Sequence, residues 1–139
     1  MIDSFKGKYF FLSNFYSAPV CYQGILYQNA EAAFHAQKDL SRREEFAGLN
    51  PSEAKRLGRR VKLRGDWEKI KDDIMFDVVY YKFSQNKELA EQLIGTEDNE
   101  LVEGNDWNDR YWGVCRGVGK NKLGQILQRV RSELKDKAS

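Results

Sequence analysis

Histidine, cysteine and proline are scarce in this chain: one, two and two among 139 residues. With a single histidine, His35, no site can be built from several imidazoles. The two cysteines, Cys21 and Cys115, lie far apart and cannot supply a four-ligand zinc set. With no secretory leader visible, both are expected to be reduced core thiols of a cytoplasmic protein. No apolar run approaches the ~20 residues that span a bilayer, so no membrane partner is expected. Charge of one sign is lacking too. Twenty-three basic residues face 21 acidic ones, for a net charge of +2. That excludes a strongly basic nucleic-acid coat but not the recognition of one nucleotide or one modified base. Internal repeats, low-complexity tracts and linkers are also missing.

What is present is core material. The chain is 41% hydrophobic and 13% aromatic, which suits one domain spanning 1–139. The apolar run 8–12 reads as a strand. Val20-Cys21-Tyr22, Gln23-Gly24 and Ile25-Leu26-Tyr27 read as a hairpin with a two-residue turn. Between them, Ser13-Asn14-Phe15-Tyr16-Ser17 mixes turn-formers with large rings. Asn29 is placed to cap a helix over 30–39. Asn50-Pro51-Ser52-Glu53 is a helix start with cap, proline and capping-box glutamate, and Gly58 ends that helix. Asp66 is expected to cap a helix over 67–83 with Trp67, Ile70, Ile74, Val78 and Tyr81 on its buried face. A further helix covers 87–94, a short strand 101–103, and a last helix starts near Asn121 with Leu123, Ile126, Leu127, Val130 and Leu134 inward. The order mixes helix and strand without regular alternation, which is an α+β fold.

Chemistry-bearing residues concentrate in two places. In NAEAAFHAQK (29–38), helical spacing puts Glu31, Phe34, His35 and Lys38 on one face. This face is either a solvated helix surface, with Glu31 favouring the helix dipole, or the polar wall of a site. In GNDWNDRYWGVCRGVGKN (104–121), Asp106 and Asp109 sit among Trp107 and Trp112. They are either turn-formers or acids in partly desolvated surroundings, beside rings that stack on a base. Gly113, Gly117 and Gly119 before Asn121 form a glycine-rich approach to a helix start, a weak phosphate-site signal. Arg59, Arg60, Lys62 and Arg64 form a basic cluster, read as a solvated loop or as phosphate contacts.

FLSNFY (11–16), AEAAFHAQK (30–38), RGDWE (64–68), KFSQN (82–86), Asp109 with Trp112-Gly113, and GxNxLGxxL (119–127) occur in order across almost the whole chain. Together they resemble the NADAR family, the YbiA-like N-glycosidases. The resemblance implies an α+β single domain and a hydrolase of N-glycosidic bonds to ribose that uses neither metal nor cofactor. It implies one of two substrates: phosphoribosylamino-pyrimidine intermediates of riboflavin synthesis, or ADP-ribose on guanine of nucleic acid. The partner is thus a phosphorylated ribosyl or ADP-ribosyl compound, or an ADP-ribosylated nucleic acid. A binding module for ADP-ribose or NAD, without catalysis, is the alternative.

By the same resemblance, Glu31 matches the family's catalytic glutamate and Asp109 its acidic partner. Trp67 matches a site tryptophan and Asn14 the asparagine of FLSNF. Lys38 and Gly113 match motif positions. Ala32-Ala33 and His35 depart from the family pattern beside Glu31. Breaking a C1′–N bond builds positive charge on ribose, which a carboxylate stabilises, while an acid assists the leaving nitrogen. Trp67, Trp112 and Phe15 are candidates for stacking on the base, Asn14 for ribose hydroxyls, and Lys38 or Arg64 for phosphate.

Overall fold

Two residues with positive φ, Gln23 at 51° and Gly24 at 83°, turn the chain between strands β1 (Ser17–Tyr22) and β2 (Ile25–Asn29). This is the turn whose twist matches an antiparallel pair. The register joins Val20 to Tyr27 and Tyr22 to Ile25, with an irregularity between Ser17 and Val20. The computed structural model describes residues 1–138. It divides into two compact units. One is Asn14–Asn86, and the other combines Met1–Ser13 with the chain from Lys87 on.

In the unit 14–86, β1 alternates. Ala18, Val20 and Tyr22 point inward, and Cys21 points out. Cys21 is therefore an exposed thiol, against the expectation of a core thiol, while Cys115 is buried. Helix α1 (Ala30–Ala36) follows β2 directly. The Asn29 side chain accepts from the Ala32 N–H and caps it. Ala30, Ala32, Ala33 and Ala36 are fully buried, and such small side chains let α1 pack closely on its neighbours. Asn50 and Glu53 close a reciprocal capping box at the start of α2 (Pro51–Gly58).

Helix α3 (Trp67–Ser84) buries Trp67, Met75, Val78, Val79, Lys82 and Phe83. The expected stripe is thus displaced. Ile70 and Ile74 are half-buried and Tyr81 is exposed. Asp66 precedes the helix but makes no cap hydrogen bond, because its carboxylate is taken by Arg64 at 2.7 Å. The KFSQN motif acquires a physical reason at the other end. The Gln85 side chain accepts from the Cys21 N–H at 2.8 Å and donates to the Cys21 carbonyl at 2.9 Å. Asn86 donates to the carbonyls of Pro19 and Lys82. These amides pair backbone groups of β1 that would otherwise be left open.

In the other unit, 8–12 is not a strand. Gly7 at φ 57° starts a 3-10 turn, Gly7–Leu12, that buries the consecutive Phe11 and Leu12 and leaves Phe10 exposed. A strand would have sent Phe11 and Leu12 to opposite faces. Helices α4 (Lys87–Ile94) and α5 (Lys122–Ala138) pack on each other. The expected inward residues of α5 are all buried. Leu101 forms a single parallel bridge with Ile2 rather than a strand over 101–103. The strands proper are β3 (Gly104–Asn105) and β4 (Val114–Cys115), paired in parallel. Buried Arg131 donates to Thr96 Oγ1 and the Asn99 carbonyl, each at 2.9 Å. No helix of the described residues is long and apolar enough to cross a membrane.

Candidate active site

Glu31 stands in the first turn of α1, between alanines that leave no solvent around them. Its backbone N–H donates to the Asn14 carbonyl at 3.2 Å, so the 13–16 turn is tied to the start of the helix. Its side chain is only 13% exposed and is not solvated freely: Oε2 lies 2.9 Å from His35 Nε2, one turn later. The solvated-surface reading of this face therefore fails for Glu31 and His35. The helix covers seven residues, not the ten expected. Glu31 lies in its first turn, where a carboxylate also favours the helix dipole.

Lys38 follows the helix. Burial pulls its ammonium below the usual lysine range, Glu31 opposes that shift, and Arg59 and Lys71 add to it. A lysine held in this way is a better base and nucleophile than a solvated one. Its Nζ lies 5.7 Å from the centroid of Trp67. Trp67 is buried, with Phe34 at 5.1 Å, so the ring serves as packed support for Lys38 and Phe34. Arg64 donates its N–H to the Lys38 carbonyl, and its guanidinium is engaged by Asp66 and the Gln37 carbonyl. Asn14 is buried and its Nδ2 meets Met75 Sδ at 3.4 Å. Phe15, next along the chain, is exposed.

Asp109, Trp112 and Gly113 belong to the other unit, where they form their own cluster. Asp109 Oδ1 accepts from the N–H groups of Tyr111 at 3.1 Å and Trp112 at 2.9 Å. One oxygen of Asp109 is thus a turn-former, leaving Oδ2 for other partners. Asn105 clamps the loop. Its Oδ1 accepts from the Asp109 N–H, and its Nδ2 donates to the Asp109 carbonyl at 2.9 Å and to Glu103 Oε2 at 3.1 Å. Gly113 is glycine because Glu103 and the Asn105 amide occupy the space that a Cβ would need. Trp112 is half-buried with Tyr111 edge-on at 4.8 Å, whereas Trp107 is exposed.

The glycine-rich approach to α5 is not a phosphate cradle. The N–H groups of Lys122 and Leu123 already donate to the carbonyls of Tyr111 and Trp112. With the first donors of the helix satisfied by loop backbone, little remains for an anion. In the basic cluster, Arg59, Arg60 and Lys62 are exposed and Arg64 is engaged.

Sequence reasoning missed Glu103, Asn105 and Gly58. The short strand expected over 101–103 hides the part Glu103 plays, and only Asn105 two residues later hints at a loop clamp. Gly58 does end α2, as expected, but the sequence gives no sign of a second task at the packing of two helices. A Cβ there would lie 2.5 Å from His35 Nδ1, so close packing of α1 against α2 explains it.

Residues 3–135 match the NADAR domain. The chain is 40% identical over 128 residues to N-glycosidase YbiA of Escherichia coli, covering 88% of this chain and 79% of that protein. It is 33% identical to an N-glycosidase of Nostoc punctiforme, covering 89% and 85% respectively. It is also 37% identical to a riboflavin biosynthesis protein of Vibrio vulnificus, covering 92% of this chain and 36% of that longer protein. The NMR structure of E. coli YbiA superposes with a TM-score of 0.86 at 35% identity, over 99% of this chain and 89% of the other.

Proposed function

From a chain that belongs to the NADAR domain family, matched over residues 3–135, we propose an N-glycosidase that hydrolyses the C1′–N bond between ribose and a base or amine. The observation that carries this is the setting of Glu31: a carboxylate with 13% of its side chain exposed, gripped by His35 and influencing Lys38. As the bond to nitrogen breaks, the ribose ring gains oxocarbenium character. An ionised carboxylate near C1′ offsets that charge or activates water. Glu31 takes this role.

Asp109 is the second acid, acting through Oδ2 on water or on the leaving group while Oδ1 holds its loop. Lys38 meets a phosphate or the sugar, with Arg64 behind it. Phe15 and, in the other unit, Trp112 are each proposed as a ring that stacks on a base, Trp67 supports Lys38, Asn14 fixes the turn beside Glu31, and Gly113 admits the Glu103 contact. The substrate is a phosphoribosylamino-pyrimidine, a reading supported by the riboflavin biosynthesis name of the Vibrio relative. ADP-ribose on guanine of nucleic acid is the second substrate class, and an ADP-ribosylglycohydrolase activity would follow from it. We place the protein in the cytoplasm, working as one domain with both cysteines as free thiols.

The test presents the protein separately with the phosphoribosylamino-pyrimidine and with an ADP-ribosylated guanine oligonucleotide. Release of ribose 5-phosphate or of ADP-ribose is then followed. Release from the first substrate supports the assignment, and release from the second alone moves it to the nucleic-acid branch. Tight binding of ADP-ribose with no release from either would replace it by a binding module.

A further inference from the structure

We infer that His35 is the positioning residue for Glu31. It holds the carboxylate through an Nε2–H donor while remaining a neutral imidazole, and Gly58 of α2 makes the room for its ring. This rests on the reading of Glu31 as the reacting carboxylate and adds what aims it.

Three observations converge. His35 Nε2 lies 2.9 Å from Glu31 Oε2, with the side chains 10% and 13% exposed. Nδ1, the other ring nitrogen, is buried and has no hydrogen-bond partner among the described residues. It faces Gly58, where a Cβ would stand 2.5 Å from Nδ1 and 2.9 Å from Cγ. A neutral imidazole has one N–H and one lone pair. A proton on Nδ1 alone would bury an unpaired donor and turn the Nε2 lone pair toward a carboxylate oxygen, so both nitrogens would be unsatisfied. A doubly protonated ring would still bury the Nδ1 donor without an acceptor, now as part of a charged group, for which an unmade hydrogen bond costs more than for a neutral one. The Nε2–H tautomer satisfies the bond to Glu31 and leaves only a lone pair beside Gly58.

The consequence is chemical. Glu31 receives a directional hydrogen bond that fixes its geometry, and its charge is not cancelled by an adjacent imidazolium. Positive charge near Glu31 comes from Lys38 instead. A carboxylate that must meet a cationic sugar benefits from being held without being neutralised. Glutamine at 35 carries a neutral N–H donor at similar reach, whereas leucine carries none.

The chain has one histidine, so a long-range 1H–15N spectrum of labelled protein shows one imidazole and needs no assignment. The expected spectrum has Nε2 protonated and Nδ1 bare at neutral pH. In the glycosidase assay, His35→Leu should lower kcat by about 10- to 100-fold with KM little changed, and His35→Gln should restore most of it. A spectrum of the Nδ1–H tautomer or of an imidazolium would overturn the inference. So would His35→Leu turning over like the parent while Glu31→Gln is inactive. Should His35→Leu fail to fold, His35→Gln with turnover as low as that of Glu31→Gln would overturn it equally. Full turnover by Glu31→Gln would instead strike the reading of Glu31 itself, and the spectrum tells the two failures apart.

Discussion

Gly58→Ala adds one methyl group in a place that the sequence alone would call harmless. Its Cβ would sit 2.5 Å from His35 Nδ1, 2.9 Å from Cγ and 3.1 Å from Cβ. Ordinary carbon contacts are ~3.5–4.0 Å, so ring or helix has to move by roughly an ångström. Forcing a methyl into a packed interior costs ~1–3 kcal/mol. Alanine's better helix propensity returns ~0.5–1 kcal/mol. The net expectation is about 0.5–2 kcal/mol of destabilisation. For a chain of this length Tm falls by roughly 3–5 °C per kcal/mol. Urea or thermal unfolding reads the stability, and turnover reads whether the displaced ring has released Glu31. Gly48→Ala is the control, since Gly48 is exposed and a Cβ there meets nothing of the described residues within 4 Å. It should unfold like the parent or slightly later. Gly58→Ala with parental stability, parental turnover and an unchanged His35 spectrum would refute the packing argument.

Asp109→Asn keeps an oxygen that accepts from the Tyr111 and Trp112 N–H groups, so it should fold normally yet lose ~10²–10⁴ in turnover. Asp109→Ala should lose the turn as well, and an active Asp109→Asn would reduce Asp109 to a turn-former. Lys82 is fully buried in α3 near the rings of Tyr16 and Phe83, and burial pulls it down to about 7 from 10.5. Between those values the unfolded chain binds the extra proton, so this lysine makes stability rise with pH from about 7 to 10.5; below 7 its penalty is complete. Relative to Lys82→Met, the parent should gain up to about 1.4 kcal/mol per pH unit across that window in unfolding titrations, and parallel curves would contradict the burial argument.

Much of the local structure was legible because it rests on local rules. Gln23-Gly24 adopts the two positive φ angles that its hairpin needs, Asn50 and Glu53 close their capping box, and the stripe of α5 is inward as its spacing requires. The failures are where tertiary contacts decide. The aromatic run at 8–12 forms a 3-10 turn, the buried face of α3 shifts to include Lys82, and Asp66 pairs with Arg64 instead of capping. In the site, spacing placed Glu31, His35 and Lys38 together, and the structure turns the Glu31–His35 part of that spacing into a part-buried hydrogen bond. It had no way to foresee that Gly58 shapes His35. That contact joins two helices, and the length of the intervening loop carries no record of it. The glycine-rich stretch before α5 misled in the opposite direction, because its backbone donors are consumed by carbonyls of the loop it closes.

The central claim is that the Glu31 carboxylate carries the cleavage, and turnover of Glu31→Gln tests it most directly. The substitution preserves size and one hydrogen-bonding oxygen, so circular dichroism and Tm should stay near the parent's. Release of ribose 5-phosphate from the phosphoribosylamino-pyrimidine should fall by at least ~10²-fold. A well-folded Glu31→Gln protein that releases product at the parent's rate would contradict the account.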